Sequence, residues 1–381
     1  MNDIIFNIAK GNMILCFFIC IIFIVFPIRM KRNKLIFLWY YFMVSLAVFS
    51  FFSEPSVSDD LYQHYVRIDL FRLGEDSYSD SPLLMWKLIT FLVSRTRNNG
   101  WLPFFSVLIF GVLVGSVVND YLKKEDKYVT RQFIIYYFAV LGGCPVFYII
   151  SGVRNALVFA IWVYTYYFYY KKKIVYYAVC IISSLIHPVI LLVAFIALVH
   201  EKFISKNRNY LLTRVLVPCI VIFVAFRFSF IQNVLQGSSI SYLRLIGSKL
   251  RSYSEYTASV GNTENTIRWI IMIYCLFMSA LVIWKTKRIG FFQFVVIITV
   301  SFSSIIILFE RLSYLVGLCS VYGITECSKM IRSRYMRTLF YWVSFAVFSF
   351  QLLFSFYAMF AHIEFNGHSF HQFWTQFNVF G

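Results

Sequence analysis

Residues 148–199 read YIISGVRNALVFAIWVYTYYFYYKKKIVYYAVCIISSLIHPVILLVAFIALV, apolar runs broken by a polar knot at residues 151–155, by Lys171-Lys172-Lys173 and by His187-Pro188. Crossing a hydrocarbon core of ~30 Å takes about 20 mostly apolar residues in a helix. Runs of this kind, parted by breaks this short, are membrane helices joined by minimal turns. The positive-inside tendency puts the triple lysine on the cytoplasmic side. Arg154 and His187 then both fall on the opposite face.

The rest of the chain agrees. Of its 381 residues 60% are hydrophobic and 14% are charged, against roughly a quarter charged in soluble domains. The expected class is all-α, a single integral membrane domain over residues 1–381. The first apolar run, from Met13 to Ile28, is followed by a basic loop and has no small-residue cleavage site, so it is expected to remain in the mature protein. The eight cysteines sit almost entirely inside apolar runs and read as small buried hydrophobes.

Candidate spans are residues 12–28, 35–52, 101–118, 133–150, 156–170, 174–187, 188–199, 215–231, 268–284, 289–308, 312–328 and 338–360. Every second connection between these twelve is basic, and together those connections hold 22 of the 35 Lys and Arg. The alternation places both termini outside the cytoplasm. It also makes the net charge of +18 a topology signal, with no nucleic-acid partner implied.

On the outer side arginine outnumbers lysine ten to three, while the cytoplasmic loops hold 13 Lys and 9 Arg. A guanidinium offers a rigid donor fork that fits phosphate or carboxylate, whereas an ammonium is a point charge. The excess points to an anionic group bound outside, or to pairing with outer carboxylates and lipid head groups. Two outer segments are long enough to build a site, residues 53–100 and 232–267. In the first, Leu84, Leu88, Phe91 and Leu92 space an amphipathic helix over residues 81–95. In the second, Tyr242, Leu243, Leu245, Ile246 and Leu250 outline another, with Arg244, Lys249 and Arg251 on its polar side.

Ionisable groups at membrane-helix ends tend to face a cavity and mark a functional path. Arg154, beside Gly152, is a candidate for holding an anion or for pairing with an outer carboxylate. Arg311 has the same two roles open, with Glu310 adjacent. His187 either caps its helix or handles a proton. Asp59 and Asp60 are solvated turn residues or supply a general base, which needs a carboxylate within reach of the attacking hydroxyl. No phosphate loop, dinucleotide fingerprint, zinc motif or nucleophile elbow is present, and no metal or soluble cofactor is expected.

Four segments, DLYQHY from Asp60, GVRNALVFAIWVYTYYFYYKKK, SSLIHP and ERLSYL, in this order and at these membrane positions, resemble the EpsG/Wzy-type polymerases of bacterial O-antigen and exopolysaccharide. Asn155 departs from the glutamine common after the arginine in such sequences. The resemblance implies a GT-C-like glycosyltransferase of the bacterial inner membrane. It would move a growing glycan from undecaprenyl diphosphate onto a lipid-linked repeat unit at the periplasmic face. By the same resemblance Arg154, Arg311, Arg244 and Arg251 would hold the diphosphate and Asp60 would be the leading base, with His187 and Asp59 as alternates. Tyr62 and Tyr65 would meet sugar rings. The expected partners are the undecaprenyl-diphosphate-linked oligosaccharide, membrane lipids and a chain-length regulator. The rival readings are a twelve-helix transporter or lipid-linked oligosaccharide flippase, against which no internal repeat is seen, and a membrane acyltransferase, for which His187 lacks a neighbouring His.

Overall fold

A backbone inside lipid must satisfy its own N–H and C=O groups, so long apolar runs fold as helices. The computed structural model describes residues 2–26, 30–57, 59–75, 81–123, 130–205, 233–255, 262–302 and 306–365. In chain order the helices are α1 (Asn2–Val25), α2 (Arg32–Phe51), α3 (Asp60–Arg72), α4 (Leu84–Ser94), α5 (Trp101–Lys123), α6 (Thr130–Gly143), α7 (Val146–Ser151), α8 (Val153–Tyr169), α9 (Lys173–Ser184), α10 (Val189–Val199), α11 (Ser241–Glu255), α12 (Asn262–Thr286), α13 (Phe291–Ser301), α14 (Ile306–Met330) and α15 (Arg334–His362). Two three-residue strands accompany them, β1 (Ser53–Pro55) and β2 (Ile363–Phe365).

Among the described residues five helices are long and apolar enough to cross a membrane: Asp3–Phe23, Arg32–Phe51, Trp101–Lys123, Arg268–Thr286 and Arg334–Tyr357. Shorter apolar helices are Leu84–Ser94, Lys173–Ser184 and Phe291–Ser301. The chain is an all-α polytopic membrane protein. The candidate span 215–231, Cys219, and the histidines at 368 and 371 in the tail lie outside the described residues.

Several boundaries move for physical reasons. Helix α1 starts ten residues before the apolar run, because Asp3 in its first turn suits the positive helix end. The run 133–150 is cut by Pro145, which cannot donate to the preceding turn, into α6 and α7. The amphipathic helix expected over 81–95 is present as α4, but Leu84, Leu88, Phe91 and Leu92 point away from the protein while Trp86, Thr90, Val93 and Ser94 are buried. An outward apolar stripe is what a helix bordering lipid needs.

The chain divides into two compact units, Met1–Ile190 with Leu352–Gly381, and Leu191–Gln351. In the first, α5 packs on α2 and on α8, α1 lies on α2, and α3 lies on α4. The close approach of α5 to α2 is set by two small residues four apart. A Cβ at Gly111 would stand 2.7 Å from Cβ of Met43, and one at Gly115 would overlap the Trp39 indole. Trp39 uses that room, donating from Nε1 to the Gly111 carbonyl at 2.9 Å and stacking on Tyr137 at 4.0 Å. In the second unit α12, α13 and α14 pack on one another, and Cys327 Sγ donates to the Met278 carbonyl at 3.4 Å.

Candidate functional site

Helix α3 is fixed at both ends. Before it, β1 pairs antiparallel with β2, setting Glu54 opposite Glu364. Tyr65 reaches back to share a 3.0 Å hydrogen bond with Ser53 Oγ. Asp59 stands at the N-cap position but is turned the other way, its Oδ2 accepting from the Ser56 amide at 3.2 Å and the Ser56 hydroxyl at 3.1 Å. Asp59 is buried and Asp60, the first residue of the helix, is exposed. At the far end Arg72 donates from Nε to the Ser94 carbonyl at 3.3 Å and the Thr96 carbonyl at 3.2 Å, and pairs with Asp69 at 2.6 Å. The helix thus lies along α4 with Leu61, His64 and Ile68 inward.

Three of the four quoted segments meet at one residue of α4, Trp86, whose side chain is wholly buried. The His64 ring, from DLYQHY, sits against it edge-on at 4.9 Å. The Arg154 guanidinium, from GVRN, lies 5.7 Å from the ring centroid, in cation–π range. The Trp86 amide donates to the carbonyl of Leu185, in SSLIHP, at 3.2 Å.

Arg154 occupies the first turn of α8 and is half-buried. The break before it depends on Gly152, where a Cβ would meet the Tyr148 ring at 2.7 Å and the Tyr148 carbonyl oxygen at 2.9 Å. Asn155 is buried, and its Oδ1 has no hydrogen-bond partner among the described residues. His187 is also buried, and its Nδ1 accepts from the Val189 amide at 3.2 Å, capping α10. With Nδ1 accepting, the neutral ring carries its proton on Nε2. Of the two roles open to His187 in sequence, the cap is present.

The residue missed in sequence is His64, only 3% exposed. Burial, and then the positive charges of Arg154 and Arg67, hold its basicity well below the usual imidazole range, so the ring is neutral at pH 7. Its Nδ1 is buried with no hydrogen-bond partner among the described residues. The available signal was its place on one helical stripe with Leu61 and Ile68.

Arg311, Arg244 and Arg251 belong to the second unit. Glu310 and Arg311 lie one turn inside α14, where the sequence predicts a turn between spans. Glu310 pairs with Arg268 of α12 at 2.8 Å. Arg268 also donates to the Tyr314 hydroxyl at 2.9 Å, and that hydroxyl donates to Glu310 Oε1 at 2.9 Å. Two residues of ERLSYL therefore close a ring around a buried arginine. Arg311 is half-buried, whereas Arg244 and Arg251 on α11 are exposed, with Arg244 Nε donating to the Ser238 carbonyl at 3.3 Å. Tyr62 is half-buried on α3. Among the described residues no group of three or more His, Cys, Asp or Glu is placed to hold a metal ion.

Apolar helices of spanning length define a polytopic membrane protein, and on its shorter helices Arg154 and His64 meet at Trp86. The EpsG family model matches residues 56–370, and the chain belongs to the EpsG family. That makes it a polysaccharide-polymerase-like membrane protein of glycosyltransferase type. No curated protein and no solved structure matches it.

Proposed function

We propose that the protein is a polysaccharide polymerase of the bacterial inner membrane, of O-antigen or related type. It transfers a growing glycan from undecaprenyl diphosphate to a lipid-linked repeat unit at the periplasmic face. The observation that supports this best is the meeting of DLYQHY, GVRN and SSLIHP at Trp86, which puts a guanidinium and an imidazole against one buried aromatic. Twelve spans, a GT-C-like architecture and periplasmic termini belong to the same proposal.

The chemistry follows from the leaving group. As the bond from the sugar C1 to the diphosphate breaks, negative charge grows on the phosphate oxygens, and donors already in place stabilise it without reorganising. Arg154 is the leading donor, and Arg311, Arg244 and Arg251 of the other unit are separate candidates to bind phosphate. The attacking hydroxyl must lose its proton to a nearby base. Asp60 fits that role better than its alternates, since Asp59 is occupied by Ser56 and His187 by the α10 cap. Tyr62 offers a ring for sugar stacking, while Tyr65 is committed at its hydroxyl to Ser53.

The test is the polysaccharide pattern of a strain lacking this protein. A single repeat unit on the lipid carrier or its acceptor, restored to a ladder by the wild-type chain, is the result expected of a polymerase. Complete absence of exported repeats would assign it to flipping instead.

A further inference from the structure

We propose that His64 is a second acid–base group of this site: it takes up a proton as an anionic diphosphate settles at Arg154 and returns that proton to the departing diphosphate. The inference rests on the polymerase reading and gives the leaving group a partner of its own, apart from the base that serves the attacking hydroxyl.

The geometry motivates it. His64 and Arg154 stand against the same Trp86 ring, at 4.9 Å and 5.7 Å. Nδ1 of His64 is buried with no hydrogen-bond partner among the described residues. A buried polar atom left unmatched in a tightly packed setting calls for an explanation, and a ligand group is one. Asp60 and Arg67 lie one turn to either side of His64 on α3, and Arg154 of α8 meets the same Trp86 ring. Of these Arg154 and Arg67 act on His64 by charge, and both oppose its protonation. An anion bound at Arg154 cancels part of that field, so the imidazole becomes more basic when the site is filled.

The step balances. The donor binds with uptake of one proton from water at His64. The acceptor hydroxyl attacks C1 and gives its proton to Asp60, the C1–O bond to the diphosphate breaks, and the His64 proton passes to the diphosphate oxygen that leaves. The products are the extended glycan and a protonated lipid diphosphate, with His64 neutral again and Asp60 carrying one proton to release to water.

Linkage fixes the sign. A group whose pKa rises on binding contributes affinity that is full below its free value and is lost as pH climbs through its bound value. In that window wild-type affinity should fall by about tenfold per pH unit beyond the donor's own titration. The probe is undecaprenyl diphosphate binding to the full-length protein in nanodiscs, measured by calorimetry in buffers of different ionisation heat. Wild type should bind with uptake of close to one extra proton relative to His64→Gln, and both His64→Gln and His64→Phe should bind without the additional pH slope. The same two variants should make polymer slowly, with the rate insensitive to pH in that window.

Binding by wild type with no more proton uptake than the variants overturns the role of His64 and leaves the polymerase reading standing. Failure of wild type to bind undecaprenyl diphosphate at all removes both. His64→Phe keeps a ring against Trp86, so a fold defect confined to His64→Gln would not obscure the outcome.

Discussion

Replacing Arg268 with methionine should destabilise the protein sharply, and replacing its partner as well should restore most of the loss. Arg268 and Glu310 lie 2.8 Å apart, with side chains 10% and 22% exposed. At that separation and an effective dielectric near 20 their attraction is ~6 kcal/mol, most of it offset by the cost of taking both charges out of water. Removing only one charge leaves the other stranded, so Arg268→Met should cost ~3–5 kcal/mol. The double variant Arg268→Met/Glu310→Met should fall within ~1 kcal/mol of wild type, since neither charge then needs a partner. The assay is equilibrium unfolding of the purified protein in mixed detergent micelles, read as a double-mutant cycle. A coupling of ~2 kcal/mol or more is expected. Single variants that each lose under ~1 kcal/mol, or a double that loses the sum of the singles, would refute the reading of Glu310 and Tyr314 as the seat of Arg268.

Arg154→Ala should reduce polymer formation by about a hundredfold or more, the usual loss of one preorganised donor, and Arg154→Lys should recover only part of it because an ammonium lacks the fork; polymer ladders check both. Asp60→Asn should stop transfer while undecaprenyl diphosphate still binds in nanodiscs, and an active Asn variant would move the base role elsewhere. Gly115→Ala should cost ~1–3 kcal/mol in the same unfolding assay, because the added methyl meets the Trp39 indole. Tyr65→Phe should cost ~0.5–1.5 kcal/mol by removing the bond to Ser53.

The breaks at Gly152, Lys171–Lys173 and His187-Pro188 were legible because each interrupts an apolar run with a residue that has a single physical meaning: no side chain, dense charge, or no amide proton. Helix α3 was not, since DLYQHYVRIDLFR is too polar to register as a span and its buried face is only three residues wide. His64 went with it. Glu310 and Arg311 looked like a turn because two adjacent charges depress hydropathy; what keeps the helix unbroken there is Arg268, from a helix that begins some fifty residues earlier, and no local pattern encodes that bond. The outward stripe of α4 was legible in spacing but not in direction, because the same periodicity serves a face turned to protein or to lipid.

The clasp between β1 and β2 has a consequence for biosynthesis. Strand β1 directly precedes α3, whereas β2 follows α15. Until translation has passed α15, the segment leading into Asp60 lacks its backbone ladder. The intervening helices can thread into the bilayer one after another, but the clasp ahead of α3 closes only once β2 arrives.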